Sequence, residues 1–373
     1  MNSAYLKEVC LVFLKLGCIA FGGPAAHIAM MQEELVEKRK WMSQAHFLDM
    51  VGATNLIPGP NSTQMTMHCG HVRAGIPGLI VAGLSFILPA VLFTLILAML
   101  YGQYGEIPAI APFFFGIKPA VIGIILNATF KLGKKAFKKW QLWVLGLAIA
   151  LLALIGWNEF LLIIGGGLIG MVWLGFKTKN LRMIGFIPTF TLVKAVSLSI
   201  TNASIFWVFL KIALVLFGSG YVLIAYVDAE LVTRLGWLTK QELLDAIAIG
   251  QFTPGPVLTT ATFIGYQLKG ISGALWASVG MFLPSFFLVG FLVKLIPFLR
   301  KSVMLSSFLD AVNACAVGVM IAVTFQLGYE ISENWQSLVL MGLSIITVLK
   351  FPKLSAFWII IGGGFLGYLL LLL

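Results

Sequence analysis

Five long stretches of the chain carry no charged residue, and they constrain the fold more than any other feature. They span residues 74–105, 140–158, 270–293, 311–329 and 354–373. A helix crosses a bilayer with about 20 apolar residues, so each stretch is long enough to do so. Charged residues make up 10% of the chain, too few to cover a water-exposed surface. We therefore expect an all-α polytopic membrane protein whose surroundings are a lipid bilayer.

The chain is also a tandem duplication. Residues 13–16 (FLKL) recur as 209–212 (FLKI), and the Pro-Gly-Pro triplet at 58–60 recurs at 254–256, both at a shift of 196 residues. One residue then drops out, and from Gly70 to Trp140 the equivalent residues lie at a shift of 195. Trp, Pro and charged positions stay in register, which chance similarity between apolar helices would not produce. The predicted organisation is an N-terminal repeat at 1–176, a basic cytoplasmic linker at 177–202 and a C-terminal repeat at 203–373.

The charges of equivalent loops predict that the two repeats are inverted. Residues 131–139 carry five lysines, whereas the equivalent 326–334 carry only two glutamates; one loop earlier, 101–108 has a single glutamate but 296–303 has an arginine and a lysine. Positive charge favours the cytoplasmic side, so equivalent loops face opposite sides. Inversion requires an odd number of crossings, and about five spans fit each repeat. If the polar region before residue 74 folds back, both termini lie outside.

Each repeat contains one polar segment that is broken by Gly and Pro. Freed backbone groups inside a bilayer must face protein or a water-filled cavity. A helix that begins after each Pro-Gly-Pro triplet would present a positive dipole end and unpaired N–H groups, which suits an oxyanion. Broken helices that meet at the midplane of inverted repeats are a common transporter site. The alternative is a tight turn outside the membrane, but two triplets at equivalent positions in apolar surroundings favour the site.

The candidate site residues lie on these breaks and on the helices before them. The substrate-binding candidates of the first repeat are Lys15, Gly22, Gly23, Asn55, Pro58, Gly59, Pro60, Asn61, Ser62 and Thr63. Those of the second repeat are Lys211, Gly218, Gln251, Pro254, Gly255, Pro256 and Thr259. The two lysines lie at membrane depth, where a charge needs a cavity or a partner. We expect each lysine to contact the anion, to pair with a carboxylate or to snorkel from a helix end. The carboxylate candidates for ion pairing or coupling are Glu34, Asp49, Glu230 and Asp245.

No other motif in the chain adds a cofactor or a nucleic acid. The four cysteines show no paired spacing, so neither a disulfide framework nor a zinc site is expected. His27, His68 and His71 occur only in the first repeat and are expected to be solvated. The lysines cluster in short loops, which is typical of orientation signals and not of a nucleic-acid face.

The motif F-x-K-x-G-x-x-x-F-G-G-P at 13–24 and the motif N-x-x-P-G-P at 55–60, together with Glu34, Trp41 and Asp49, resemble the chromate ion transporter family in its long, two-domain form. The resemblance spans nearly the whole chain. It implies a multi-pass protein of a prokaryotic inner membrane that exports chromate, with sulfate as the close competitor.

The second repeat departs from this pattern. Gly23-Pro24 becomes Ser219-Gly220, and Asn55 becomes Gln251, so the two repeats are not expected to contribute equally to binding.

The expected function is secondary transport. The chain lacks a P-loop and an H-E-x-x-H motif, so neither an ATPase nor a metalloenzyme is expected. Expelling a dianion from a negative interior gains about 4.6 kcal/mol per 100 mV, which favours export driven by the membrane potential. The rival interpretation is a transporter of sulfate or another oxyanion that is coupled to protons through Glu34, Asp49 or a histidine. The sequence leaves homo-oligomerisation open.

Overall fold

The structure, a computed structural model, describes residues 3–20, 24–54, 57–104, 111–175, 198–217, 220–299, 303–332, 334–351 and 354–372. Within these ranges the chain is helical and contains no strand, which confirms the predicted all-α class. The predicted linker falls almost entirely outside the described residues.

The two repeats contain the same series of helices. The first repeat has α1 (Ser3–Ile19), α2 (Pro24–Met31), α3 (Gln44–Thr54), α4 (Asn61–Tyr104), α5 (Ala111–Ala136), α6 (Trp140–Leu154) and α7 (Glu159–Gly175). The second repeat has α8 (Asn202–Val215), α9 (Leu223–Val227), α10 (Lys240–Phe252), α11 (Thr260–Leu299), α12 (Val303–Glu330), α13 (Trp335–Lys350) and α14 (Ala356–Leu372).

A π-helical segment lies at the same place in each repeat, at Gln32–Lys38 and at Asp228–Arg234. Such wide turns are rare and are frequently found at functional sites. Their matched positions support the duplication. Short 3₁₀ helices add Gly220–Val222 before α9 and Val257–Thr259 before α11.

Among the described residues, four helices are long and apolar enough to cross a membrane by length and composition. They are Asn61–Tyr104, Pro112–Ala136, Val257–Phe291 and Ser306–Glu330. Five shorter apolar helices accompany them, at Trp140–Leu154, Leu161–Leu174, Asn202–Val215, Trp335–Lys350 and Ala356–Leu371.

The helices α4 and α11 are hairpins and not straight spans. Gly75 (φ 65°) and Gly270 (φ 61°) reverse the chain direction, so that Gly70 packs against the backbone of Gly78. In α11 the equivalent close approach places the hydroxyls of Thr262 and Ser278 2.8 Å apart. The first arm of α4, residues 61–73, is about 20 Å long, too short for a bilayer core of about 30 Å. This short arm favours a polar region that folds back, the condition under which the sequence analysis places both termini outside.

The two repeats are interleaved. The helices that pack most extensively on α5 are α13 and α14 of the other repeat, and α6 and α7 pack reciprocally on α12. Ser344 on α13, for example, donates a hydrogen bond to the carbonyl of Ala120 on α5, at 2.9 Å. Each repeat therefore completes its helix bundle with the last two helices of the other.

Equivalent helices run antiparallel where they meet. Gly83 on α4 lies against the ring of Phe286 on α11, and farther along α4 the ring of Tyr101 lies 5.2 Å from that of Phe263. Gly75 lies 8 residues from Gly83 along α4, and Gly270 lies 16 residues from Phe286 along α11 in the opposite direction. At about 1.5 Å per residue, the two hairpin turns are about 36 Å apart, at opposite ends of the bundle. This geometry supports the predicted inversion, and the orientation in a membrane stays a prediction.

The broken segments of the two repeats differ in how closely they pack. We call residues 24–73 the first re-entrant unit and residues 220–268 the second. In the second unit α9 is buried along its length and contacts α7 and α12, while α10 packs on α5 and α14. In the first unit α2 is only partly buried, and α3 makes no comparable contact with α12 or α7 among the described residues. The second unit is thus docked in the bundle along its length, whereas α2 and α3 of the first unit are packed more loosely and only its last part, at the start of α4, is fully buried.

A polar network holds the docked unit. Lys118 on α5 donates to Gln241 on α10 at 2.8 Å and lies 3.3 Å from the carboxylate of Asp245. Tyr101 on α4 donates to the same carboxylate at 2.8 Å. The position in the second repeat that is equivalent to Lys118 is Asn313, so the first unit has no matching cation to dock against.

Candidate functional site

Each Pro-Gly-Pro triplet is bound to the broken helix of the other repeat. The Gly59 N–H donates to the carbonyl of Leu216, just after α8, at 2.6 Å, and the Gly255 N–H donates to the carbonyl of Ala20, just after α1, at 2.7 Å. Leu216 and Ala20 are equivalent residues, as are the two glycines. The triplets are therefore buried at the junction of the repeats, and neither is a turn at the aqueous surface.

Glycine is required at the centre of both triplets for two reasons. Gly59 has φ 117° and Gly255 has φ 89°, a region that side chains with a Cβ rarely adopt. A Cβ on Gly255 would also lie 2.8 Å from the Cβ of Ala90, and one on Gly59 would lie 2.9 Å from the Oγ of Ser285. Backbone conformation and cross-repeat packing thus both exclude larger residues.

Helices begin just after the triplets. The carbonyl of Pro60 accepts from the Gln64 N–H at 2.9 Å, so Pro60 is the N-cap residue of α4, which begins directly after the triplet. Pro256 precedes the short 3₁₀ helix that leads into α11. The first turns contain Asn61, Ser62 and Thr259, all buried. Free N–H groups and dipole ends therefore point into the protein interior.

Several buried polar atoms around the triplets have no hydrogen-bond partner in the described part of the chain. They are the hydroxyl oxygens of Thr63 and Ser285, the Oε1 of Gln64 and the Nε2 of Gln251. Buried polar groups are normally satisfied, so these atoms are candidates to contact a ligand. The sequence analysis did not identify Gln64 or Ser285. Ser285 could have been noticed, because it is a serine inside an apolar helix and its equivalent in the first repeat is Ala90.

The two predicted lysines lie in different environments. Lys211 forms an ion pair with Glu230 at 3.1 Å, and Arg234 binds the same carboxylate. Lys15 is exposed; it interacts with Glu34 electrostatically but forms no ion pair within 4.0 Å among the described residues. Lys211 therefore forms the ion pair with a carboxylate that the sequence analysis gave as one alternative to contact with the anion.

The other predicted carboxylates either bind a cation or lie outside the described residues. Arg39 donates to Glu34 at 2.9 Å, and this bond holds the pKa of the Glu34 carboxyl below its usual range. Asp245 belongs to the network that docks α10. Gly22, Gly23, Asn55, Gly218 and the side chain of Asp49 lie outside the described residues.

The expectation that the histidines are solvated is wrong for His27 and His68, which are 1% and 3% exposed. His27 places its Nε2 2.9 Å from the carbonyl of Ala20, the same carbonyl that accepts from Gly255. The first re-entrant unit encloses both rings. The sequence analysis placed these histidines at loop edges and therefore did not indicate their burial.

The arrangement suits anion binding. No group of three or more His, Cys, Asp or Glu side chains that could hold a metal ion occurs in the described ranges. What converges at the repeat junction is a set of helix starts, hydroxyls and amides. These groups can bind an oxyanion without a fixed positive charge in direct contact.

Comparisons with known proteins agree with the duplicated architecture. A family model described as chromate transporter matches this chain twice, over residues 7–171 and 203–368. A chromate transport protein of Pseudomonas aeruginosa is 32% identical over 380 residues, which cover 96% of this chain and 90% of that protein. A chromate transport protein of Cupriavidus metallidurans is 30% identical, with 97% and 92% covered.

A third relative, a probable chromate transport protein of Synechococcus elongatus, is 31% identical over 95% of this chain and 92% of its own length. No solved structure matches the chain.

Proposed function

The chain belongs to the chromate transporter family, and from this premise we propose that it is a secondary transporter that exports chromate across a prokaryotic inner membrane. One observation carries the proposal: each Pro-Gly-Pro triplet caps the broken helix of the other repeat. The site is thus built from both repeats, and a relative movement of the repeats changes it.

The chemistry of the junction fits a tetrahedral dianion. Four oxygens that share two negative charges accept hydrogen bonds in several directions, and helix N–H groups, Thr63, Ser285 and Gln251 offer donors there. Lys211 and Lys15, on the helices that end at the breaks, add positive potential. The same donors suit sulfate, so chromate is proposed from the family and the oxyanion class from the geometry.

The unequal packing of the two re-entrant units supports alternating access. In inverted repeats, exchanging the conformations of the two halves turns a site that opens to one side into one that opens to the other. Here the second unit is docked and the first is loosely packed. An exchange of these two states would move the barrier from one side of the junction to the other.

The membrane potential gives the proposed direction. One elementary charge that moves through 100 mV is worth about 2.3 kcal/mol, so outward movement of a dianion gains about twice that. Uptake of the same anion would need a coupled cation. Export thus requires no nucleotide hydrolysis, which agrees with the missing P-loop.

Flux measurements on purified protein in vesicles test the proposal. At an imposed potential, chromate should move toward the positive side faster than in protein-free vesicles, and sulfate should compete with it. Transport of sulfate without chromate would assign the protein to the rival class of oxyanion transporters. Absence of flux of either anion at any potential would contradict the proposed function.

A further inference from the structure

A carboxyl group without a partner lies at the first residue of the second π-helical segment. Asp228 is 0% exposed, and neither of its carboxylate oxygens has a hydrogen-bond partner in the described part of the chain. The candidate oxyanion site does not include it. Transferring an ionised carboxylate out of water without a donor is so costly that such a group normally becomes neutral.

A second buried carboxyl faces Asp228 from the other repeat. Glu159, at the start of α7, is 4% exposed, and its Oε2 has no hydrogen-bond partner among the described residues. The two carboxyls interact electrostatically with each other and with Lys240 at the start of α10. Lys240 donates to the uncharged Gln326 of α12 at 3.2 Å. With one cation and two carboxyls, the group reaches neutrality by binding one proton.

The chemistry favours a proton over a metal ion. A metal ion needs several oxygen ligands, and the described residues contain no group of three or more side chains suited to that role. A proton needs a single carboxylate oxygen. It also removes the charge that makes burial unfavourable.

The other repeat shows a second environment for this position. The residue equivalent to Asp228 is Gln32, which begins the first π-helical segment and is partly exposed. The first unit is the loosely packed one. If the two units exchange states, position 228 comes into an environment like that of Gln32, and its carboxyl meets water.

We propose that Asp228 is a proton-binding site, occupied while the second re-entrant unit is docked and vacated when that unit leaves α7. In the docked state the proton is bound to a carboxylate oxygen of Asp228. On undocking the O–H bond breaks, the proton passes to water and the carboxylate stays in its ionised form. Redocking takes a proton back. This inference rests on the proposed transport cycle, because it couples that cycle to proton binding.

Infrared spectroscopy of the purified protein tests the occupied state without any transport assay. The carbonyl stretch of a protonated carboxyl should be present in the wild type and should lose intensity in Asp228→Asn, which keeps the shape of the neutral side chain. Asp310→Asn, at a partly exposed carboxylate that Lys138 binds at 3.0 Å, is the matched control and should not change the band. An unchanged band in Asp228→Asn would overturn the proposal.

Flux through vesicles at a clamped potential tests the coupling. Wild-type chromate flux should vary with pH, Asp228→Asn should lose that dependence, and Asp228→Glu should retain it because it keeps a titratable group. A pH response that persists in Asp228→Asn, or a response to sodium in place of pH, would overturn the coupling. If the wild type carries no chromate at any pH, the proposed function fails, and the infrared result still decides whether Asp228 is protonated.

Discussion

Replacing Gly255 by valine should abolish chromate transport and leave the protein inserted in the membrane. A β-branched residue at φ 89° is strained by about 1–3 kcal/mol. Its Cβ would also overlap that of Ala90 on α4, and overpacking of this kind costs about 1–3 kcal/mol more. The strain is relieved only if the triplet moves away from the carbonyl of Ala20, which dismantles the cross-repeat contact. Gly59→Val should act in the same way against Ser285.

Gly156→Val is the matched control for this prediction. Gly156 has φ 92°, and no atom lies within 4 Å of where its Cβ would be. Valine there introduces comparable backbone strain in the turn between α6 and α7, without touching the other repeat. Vesicle flux for the three variants, normalised to folded protein by size-exclusion chromatography, separates local strain from loss of the junction. Wild-type flux in Gly255→Val would show that the triplets are passive turns.

Removing the amino groups of Lys15 and Lys211 should strongly reduce chromate transport. The two ammonium groups add positive potential at the junction without touching the anion, and a charge about 10 Å away at an effective dielectric constant of about 20 contributes about 1–2 kcal/mol, so the affinity for the anion should fall about tenfold per lysine. Lys211→Ala leaves Glu230 bound to Arg234, so the carboxylate keeps a partner and the fold should persist. The concentration dependence of chromate flux measures the effect.

Lys138→Ala provides the comparison for both lysines. It also removes a lysine from an ion pair, with Asp310 at 3.0 Å, but far along the chain from either break. Its flux should equal that of the wild type. If Lys211→Ala transports with unchanged affinity, Lys211 is a structural partner of Glu230 and takes no part in binding.

Much of the fold could be predicted from particular residues. The matched Pro-Gly-Pro triplets, with Trp41 opposite Trp237, fixed the register of the two repeats. That register places both π-helical segments and both hairpin turns at equivalent positions in the structure. Glycine and proline are informative here because few other residues fit a positive φ or a helix start.

The packing partners could not be predicted in the same way. Apolar membrane helices present similar surfaces, so nothing in the sequence of α5 indicates that it packs on α13 and α14 of the other repeat. In the structure the interleaving includes close approaches of small residues, such as Gly116 against Gly363.

The different packing of the two re-entrant units was likewise not indicated by any local sequence pattern. The second unit is docked and the first is packed more loosely, although the two repeats share the same motifs. The burial of His27, and the engagement of Lys211 by Glu230, depend on where the re-entrant units fold back. The sequence named Glu230 and Asp245 as possible partners of Lys211 without distinguishing them, and it did not indicate the burial of His27.

The most direct test of the central claim is to locate chromium in crystals grown with chromate, using anomalous diffraction. We expect a chromium peak at the repeat junction, between the helix starts that follow Pro60 and Pro256, and within hydrogen-bond reach of donors from both repeats. The same peak should vanish in Gly255→Val. A chromium atom bound within a single repeat, or only at the aqueous surface, would contradict the account.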